Sequence, residues 1–399
     1  MTYKFFSKDI FSNKNLAAIL WFGLSMIAII LEYAKHTPNN YLIFKSGFNH
    51  TILQTNLYQY YPAEYGDLYL YGPVFSLVIA PFALLPDWLG SILWVQFNAA
   101  LLFIAICNLP LKRKWNNAIL IFCSVEMMTC AEWAQSNAMI GACLLFGFIF
   151  TIRNKEIWAL FFIMLATFIK LYGIVGCIFF LFSKNRLQFI GWAIFWSIVF
   201  FIGPMIISSK EFIVQSYADW YQRLQLKDIR NTRLDIQNDF QDISVMGMIR
   251  RIFHISNMKN IFVTVPAVLL FASQLVFFNN YKDLRYRIYL LCSVLITTII
   301  FTTSSESPTY IIAFPAVCIW YVLQPPSRWV TVFFIFSLLL TSFSYSDIFT
   351  PYVREHITRP YSLKALPCFI LWLILLWQIW RKQFLLVDQE KLQLNPTPG

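Results

Sequence analysis

Residues 288–323 read IYLLCSVLITTIIFTTSSESPTYIIAFPAVCIWYVL. Two unbroken apolar runs, 288–303 and 309–323, are joined by the polar tract SSESP at 304–308. Neither run alternates apolar with polar residues, as the wall of a barrel would. Runs of this kind read as helices in lipid, where the backbone must satisfy its own hydrogen bonds. The polar tract carries Glu306. A helix opening near Pro308 would offer its first backbone amides to an anion, or Ser304, Ser305 and Ser307 would cap it.

The same pattern recurs at 16–33, 90–109, 116–130, 137–152, 189–208, 261–278, 329–345 and 365–381. Several runs are shorter than the ~20 residues a perpendicular span needs, which implies a thinned or water-filled region where helices stop early. The 399 residues are 58% hydrophobic and 13% charged, with mean hydropathy +0.59. A soluble domain is roughly one quarter charged. The reading is an all-α, polytopic transmembrane helical bundle of about twelve spans, forming one integral membrane domain over 1–399. The N-terminal MTYKFFSKDIFSNKN lacks the shape of a cleavable signal, so the first span is expected to stay in place.

The net charge of +11 does not point to nucleic acid, because the basic residues cluster between apolar runs. Two arrangements fit these clusters. In one, 157–182 is two short helices meeting outside at Lys170, and 74–86 dips in without crossing. All clusters, Lys112 to Lys114 and Arg381 with Lys382 included, are then cytoplasmic, as are both termini and the tail 382–399. In the other, both stretches cross once, and the clusters at 112–114 and 153–155 fall outside. The first arrangement is preferred on loop charge. It collects the polar chemistry on the outer face: a first outer loop at 34–73, the tract AEWAQSN (131–137), Lys170, a long outer loop at 209–260, SSESP and 346–364. His36, His50, His254 and His356 all fall there. No internal repeat is evident, so one-sided polarity favours an enzyme working at one leaflet over an alternating-access carrier.

Several groups on that face could carry chemistry. The first loop holds Tyr41, Tyr58, Tyr60, Tyr61, Tyr65, Tyr69 and Tyr71, suited to an interfacial belt or to stacking on sugar rings. Its only acids are Glu64 and Asp67, three apart, on one face if the chain makes a helical turn there. Apolar surroundings would move such a carboxylate toward the range of a general base. Glu132, Gln135 and Asn137 lie between two apolar runs, where they bind a ligand or cap helix ends. Lys170 follows thirteen apolar residues and either snorkels or holds a phosphate. In NDFQDISVMGMIRRIF (238–253), Arg250 and Arg251 beside Asn238, Asp239 and Asp242 would grip a phosphate or sugar, or form a solvated helix face. The eight Cys lie mostly inside apolar runs without metal spacing, so neither a metal nor a cofactor is expected.

In order along the chain, these pieces resemble glycosyltransferase family 87, a family of polyprenyl-phosphate-sugar-dependent membrane enzymes that includes α-mannosyltransferases. The likeness covers roughly residues 16–325. It rests on NLY (56–58), YGPVFSLVIAPFALLP (71–86), QSN (135–137), Lys170 and ISVMG (243–247). The resemblance implies the multi-span GT-C architecture, with the site on the outer face under the first loop. It implies a hexosyltransferase of the cell envelope, located in the cytoplasmic membrane. Such an enzyme moves a mannose-like sugar from a polyprenyl-phosphate donor to a lipid or glycan acceptor.

The chain departs from the family at one position. The family's Asp at the start of the first loop falls on NNY here, at Asn39 or Asn40, and no acid lies between Glu32 and Glu64. An amide cannot take a proton from a hydroxyl at neutral pH. A later His of the family, near SSESPTY, is also absent. The expected base is therefore Asp67, Glu64 or Glu306. The expected substrate-binding residues are Asn40, Tyr58, Tyr71, Glu132, Gln135, Asn137, Lys170, Ser244 and Arg250. Two other readings stay open, a lipid-glycan-binding relative without activity and a lipid or polysaccharide transporter.

Overall fold

The computed structural model describes residue 11 and residues 13–232, 240–256, 258–345 and 349–393. Among these, secondary structure is helical, apart from one isolated bridge between Leu111 and Leu392. Each apolar run of the sequence is a helix. Lys14–Lys35, Asp87–Cys107 and Arg186–Ile206 are long and apolar enough to cross a membrane. Seven shorter apolar helices accompany them. The helices group into two compact units, and the chain passes between the units within four helices. One unit comprises 22–105 and 128–227, the other 1–21, 106–127 and 228–399.

In the unit of 22–105 and 128–227, the two ambiguous stretches are short helices. Residues 157–182 are a hairpin: helix Glu156–Ile169, an extended Lys170, and a 3-10 helix Leu171–Phe182. Gly173 makes the return possible, since a Cβ there would sit 2.4 Å from the Thr167 backbone nitrogen. At the other end Ser183 donates to Glu156 at 2.9 Å, closing the hairpin. A 3-10 helix rises about 2.0 Å per residue and an α-helix about 1.5 Å, so 12 residues match 14 at roughly 21–24 Å. Neither arm spans the ~30 Å hydrocarbon core. The helix Phe75–Ala83 has nine residues, about 14 Å, and is too short to cross.

The first loop is not the interfacial belt its tyrosines suggest. It opens with helix Asn39–Leu53, and Tyr41, Tyr58, Tyr65, Tyr69 and Tyr71 are buried. Phe44 packs edge-on against Tyr71, Phe75 and Trp94, with centroids 4.9, 5.0 and 5.8 Å away. Each such ring buries roughly 150–250 Å² when packed, so the loop supplies core to its own unit. Tyr61 is half-buried, and Tyr60 is 58% exposed.

In the unit of 1–21, 106–127 and 228–399, the basic clusters share one end. Lys112 N–H donates to the Lys391 carbonyl at 2.9 Å. Lys391 Nζ donates to the carbonyls of Val322 and Gln324. Arg285 donates to the Leu385 carbonyl at 2.9 Å. Lys112 thus lies beside Lys391, at the end of that unit where the described chain finishes.

The opposite end of that unit is tied by a buried ion pair. Lys364 Nζ reaches both oxygens of Glu126, at 2.9 and 3.2 Å, and Ser307 Oγ at 3.0 Å, with both charged side chains 0% exposed. Removing one partner leaves a buried charge alone. Lys364→Met is therefore expected to destabilise the protein by about 3–5 kcal/mol, and Lys364→Met with Glu126→Leu to recover most of it. Thermal unfolding in detergent checks both. Equal destabilisation by the single and the double variant would contradict it.

Candidate active site

In the unit of 22–105 and 128–227, the helix start at Asn39 is the organising point. Asn39 Oδ1 accepts the Gly66 N–H at 2.7 Å. Asn40 Nδ2 donates to the Trp133 carbonyl at 2.8 Å. The residue at the place of the missing acid thus clamps the backbone between Glu64 and Asp67. Residues 62–64 form a single turn and 65–67 are irregular, so the two acids are not on one helical face, contrary to that expectation. They flank a clamped glycine instead. Both are exposed. His50 Nε2–H donates to the Glu64 carboxylate at 3.0–3.1 Å, with the His side chain 7% exposed and the Glu side chain 43% exposed. No partner holds the Asp67 carboxylate among the described residues.

A second group forms around Lys170. Its ammonium donates to Asn137 Oδ1 at 2.7 Å and lies 5.0 Å from the Tyr71 ring centroid and 5.8 Å from that of Tyr172. Tyr71 OH donates to Gln135 Oε1 at 3.2 Å. Tyr58 OH donates to the Tyr71 carbonyl at 2.9 Å, and the Tyr58 carbonyl accepts from Arg223. Burial pushes the Tyr58 hydroxyl well above its ordinary range, which keeps it a donor. Tyr58 is 2% exposed and is a support for Tyr71 rather than a surface for sugar. Asn137 is 0% exposed, and its Nδ2 has no acceptor among the described residues. Glu132 is exposed at the end of its helix.

Gly72 joins the first loop to the hairpin tip. Its N–H donates to the Ile169 carbonyl at 3.1 Å, and a Cβ would sit 2.0 Å from the Phe168 carbonyl oxygen. Backbone cannot yield as a side chain can. Gly72→Ala is expected to cost about 1–3 kcal/mol and to shift Lys170. Thermal unfolding and Lys170 labelling by an amine reagent read the two effects, and wild-type values for both would refute the assignment.

The remaining expected residues lie in the other unit, and most are occupied structurally. Arg250 is 0% exposed, donates to Asp242 at 2.6 Å and Asn260 at 2.8 Å, and reaches the Met258 carbonyl. The expectation that it grips a phosphate is corrected, because the guanidinium is buried and its terminal nitrogens go to three protein partners, with Nε alone lacking one among the described residues. Burial pushes the Asp242 carboxyl up, and Arg250 beside it opposes that. Ser244 caps helix Val245–Phe253 through the Gly247 N–H and donates to Asp242 at 2.6 Å. Glu306 accepts from Gln241 at 2.7 Å and forms a capping box with Thr309, so the cap is Glu306 rather than the neighbouring serines. Asn238 and Asp239 lie outside the described residues. Sequence reasoning missed His50, Tyr172, Glu126 and Lys364. His50, a polar residue within an aromatic loop, and Glu126, a lone acid inside the apolar run 116–130, carried a local signal.

The order of these elements along the chain has a counterpart among known proteins. The sequence profile described as glycosyltransferase family 87 matches residues 69–304, more than half the chain. The chain belongs to glycosyltransferase family 87. The match begins within the first loop, after Glu64 and Asp67. It takes in Tyr71, Gln135, Asn137 and Lys170. No curated protein matches the sequence. Among solved structures, the chain is similar to that of ArnT from Cupriavidus metallidurans, determined bound to undecaprenyl phosphate. The identity is 14% and the TM-score 0.37, over 92% of this chain and 76% of that one.

Proposed function

We propose that this family 87 member moves a hexose, mannose-like, from a polyprenyl-phosphate donor to a lipid or glycan acceptor. The reaction takes place at the outer face of the cytoplasmic membrane, with both termini cytoplasmic, and builds cell-envelope glycans. The observation that carries the reading is the Asn39 to Gly66 clamp, which holds Glu64 and Asp67 beside the place of the family's acid. Asp67 is the base that takes the acceptor's proton, and Glu64, held by His50, is second to it. Lys170 meets the leaving phosphate as its charge grows, with Asn137 aligning the ammonium. The unmet Asn137 Nδ2 beside that ammonium is a donor that a phosphate oxygen would satisfy. Positive charge develops on the sugar carbon as in other glycosyl transfers.

The direct test uses the full chain in membrane vesicles. Labelled polyprenyl-phosphate sugars and nucleotide sugars are offered in turn, and label entering lipid-linked glycan is measured. Transfer from the polyprenyl donor alone is the expected result. Transfer from the nucleotide sugar, or from neither across the common hexoses, would overturn it.

A further inference from the structure

The end of the second unit that carries the basic clusters also holds a cavity of about 500 Å³. It is not part of the chemistry proposed above. Its size falls in the range of small-molecule sites, which is roughly 300–1,000 Å³. One side is cationic: Lys112 is exposed, Lys114 is half-buried, and Lys391 lies between them and the carbonyls of Val322 and Gln324. Neither Lys112 nor Lys114 has a carboxylate within ion-pair distance among the described residues. Of the two acids on the rim, Asp388 lies close enough to act on Lys391, and neither pairs with Lys112 or Lys114. Asp388 accepts the Glu390 N–H at 2.8 Å, and Glu390 is exposed. The helix Arg113–Glu132 opens at this rim, so its positive dipole end adds to the field.

The other side is apolar and belongs to membrane helices. Tyr321 and Val330 line it, and Tyr321 stacks on Phe334 with centroids 3.9 Å apart. Trp115 stands between the two sides, 5.7 Å from Lys114 Nζ and 5.2 Å from Lys391 Nζ. A cationic wall, an aromatic shelf and an apolar floor match an amphiphile with an anionic head. A free phosphate would leave the floor bare, and a neutral lipid would leave the lysines unanswered.

We infer that this cavity binds one anionic phospholipid. The phosphate sits between Lys112 and Lys114, and an acyl chain runs along Tyr321 and Val330. Basic pockets at the ends of membrane helices draw anionic lipid, each lysine contributing through surface potential as well as contact.

The test uses the full chain in detergent micelles, with phosphatidylglycerol or phosphatidylcholine of the same acyl chains. Lipid retained by the protein is counted by native mass spectrometry. Wild type is expected to retain phosphatidylglycerol over phosphatidylcholine. Lys112→Ala with Lys114→Ala is expected to lower phosphatidylglycerol retention about tenfold or more. Its unfolding midpoint in phosphatidylcholine should stay unchanged, which separates lost binding from lost folding. Val330→Trp, which fills the apolar side and leaves the lysines alone, should also lower retention. Equal retention of the two lipids would overturn the inference, as would wild-type retention in both variants. Displacement of phosphatidylglycerol by millimolar glycerol 3-phosphate would also overturn it, because the floor would then contribute nothing.

Discussion

Asp67→Asn is expected to lower the transfer rate by about 10²–10⁴-fold while leaving expression and unfolding temperature unchanged. The amide keeps the shape of the carboxylate and cannot accept the acceptor's proton. Asp67 is exposed and unheld among the described residues, so the change removes no packing and no ion pair. Glu64→Gln is the informative companion, since Glu64 is held by His50. A small effect there beside a large one at Asp67 fixes the assignment. The reverse pattern would move the base to Glu64. Asn39→Ala tests the clamp itself, because it keeps both acids and frees Gly66. A rate measured with saturating donor and acceptor reads all three. Full activity in a chain lacking the carboxylates of Glu64, Asp67 and Glu306 together would sink the base assignment.

Lys170→Met is expected to reduce kcat by about 10²–10³-fold with a smaller change in donor affinity. Charge on the leaving phosphate is largest in the transition state, so a cation placed for it contributes more there than in the ground state. Arg at the same position keeps the charge but changes its geometry. Lys170 sits between Asn137 Oδ1 and the Tyr71 ring, a setting fitted to a compact ammonium. Lys170→Arg should therefore restore activity only in part. A purely structural lysine would lose stability on substitution by Met without this split between kcat and affinity, which distinguishes the two roles.

The apolar runs were legible because lipid leaves the backbone few choices, and each run is a helix. The hairpin at Lys170 was legible from loop charge, which favoured two short helices meeting there over a single span. Its second arm was not. LYGIVGCIFFLF reads like any apolar α-helix, and only Gly173 lying on the Ala166–Thr167 backbone accounts for its tight return. The cluster of Tyr71, Gln135, Asn137 and Lys170 followed from residue type and order. The tyrosines misled, because an aromatic loop beside a span looks the same whether it lies on lipid or fills a core. Arg250 misled for the opposite reason, since its burial depends on Asp242 and Asn260, which no periodicity reveals. The Asn39 clamp links residues 27 apart through an irregular turn, beyond any local pattern.

Glu126 and Lys364 stand 238 residues apart in the chain. At roughly 5–20 residues per second of synthesis, the acid waits on the order of ten to fifty seconds for its partner. During that interval one helix of the second unit carries an unanswered polar group, and the unit cannot lock. Synthesis of Lys364, rather than insertion of the first spans, is therefore the event that answers Glu126.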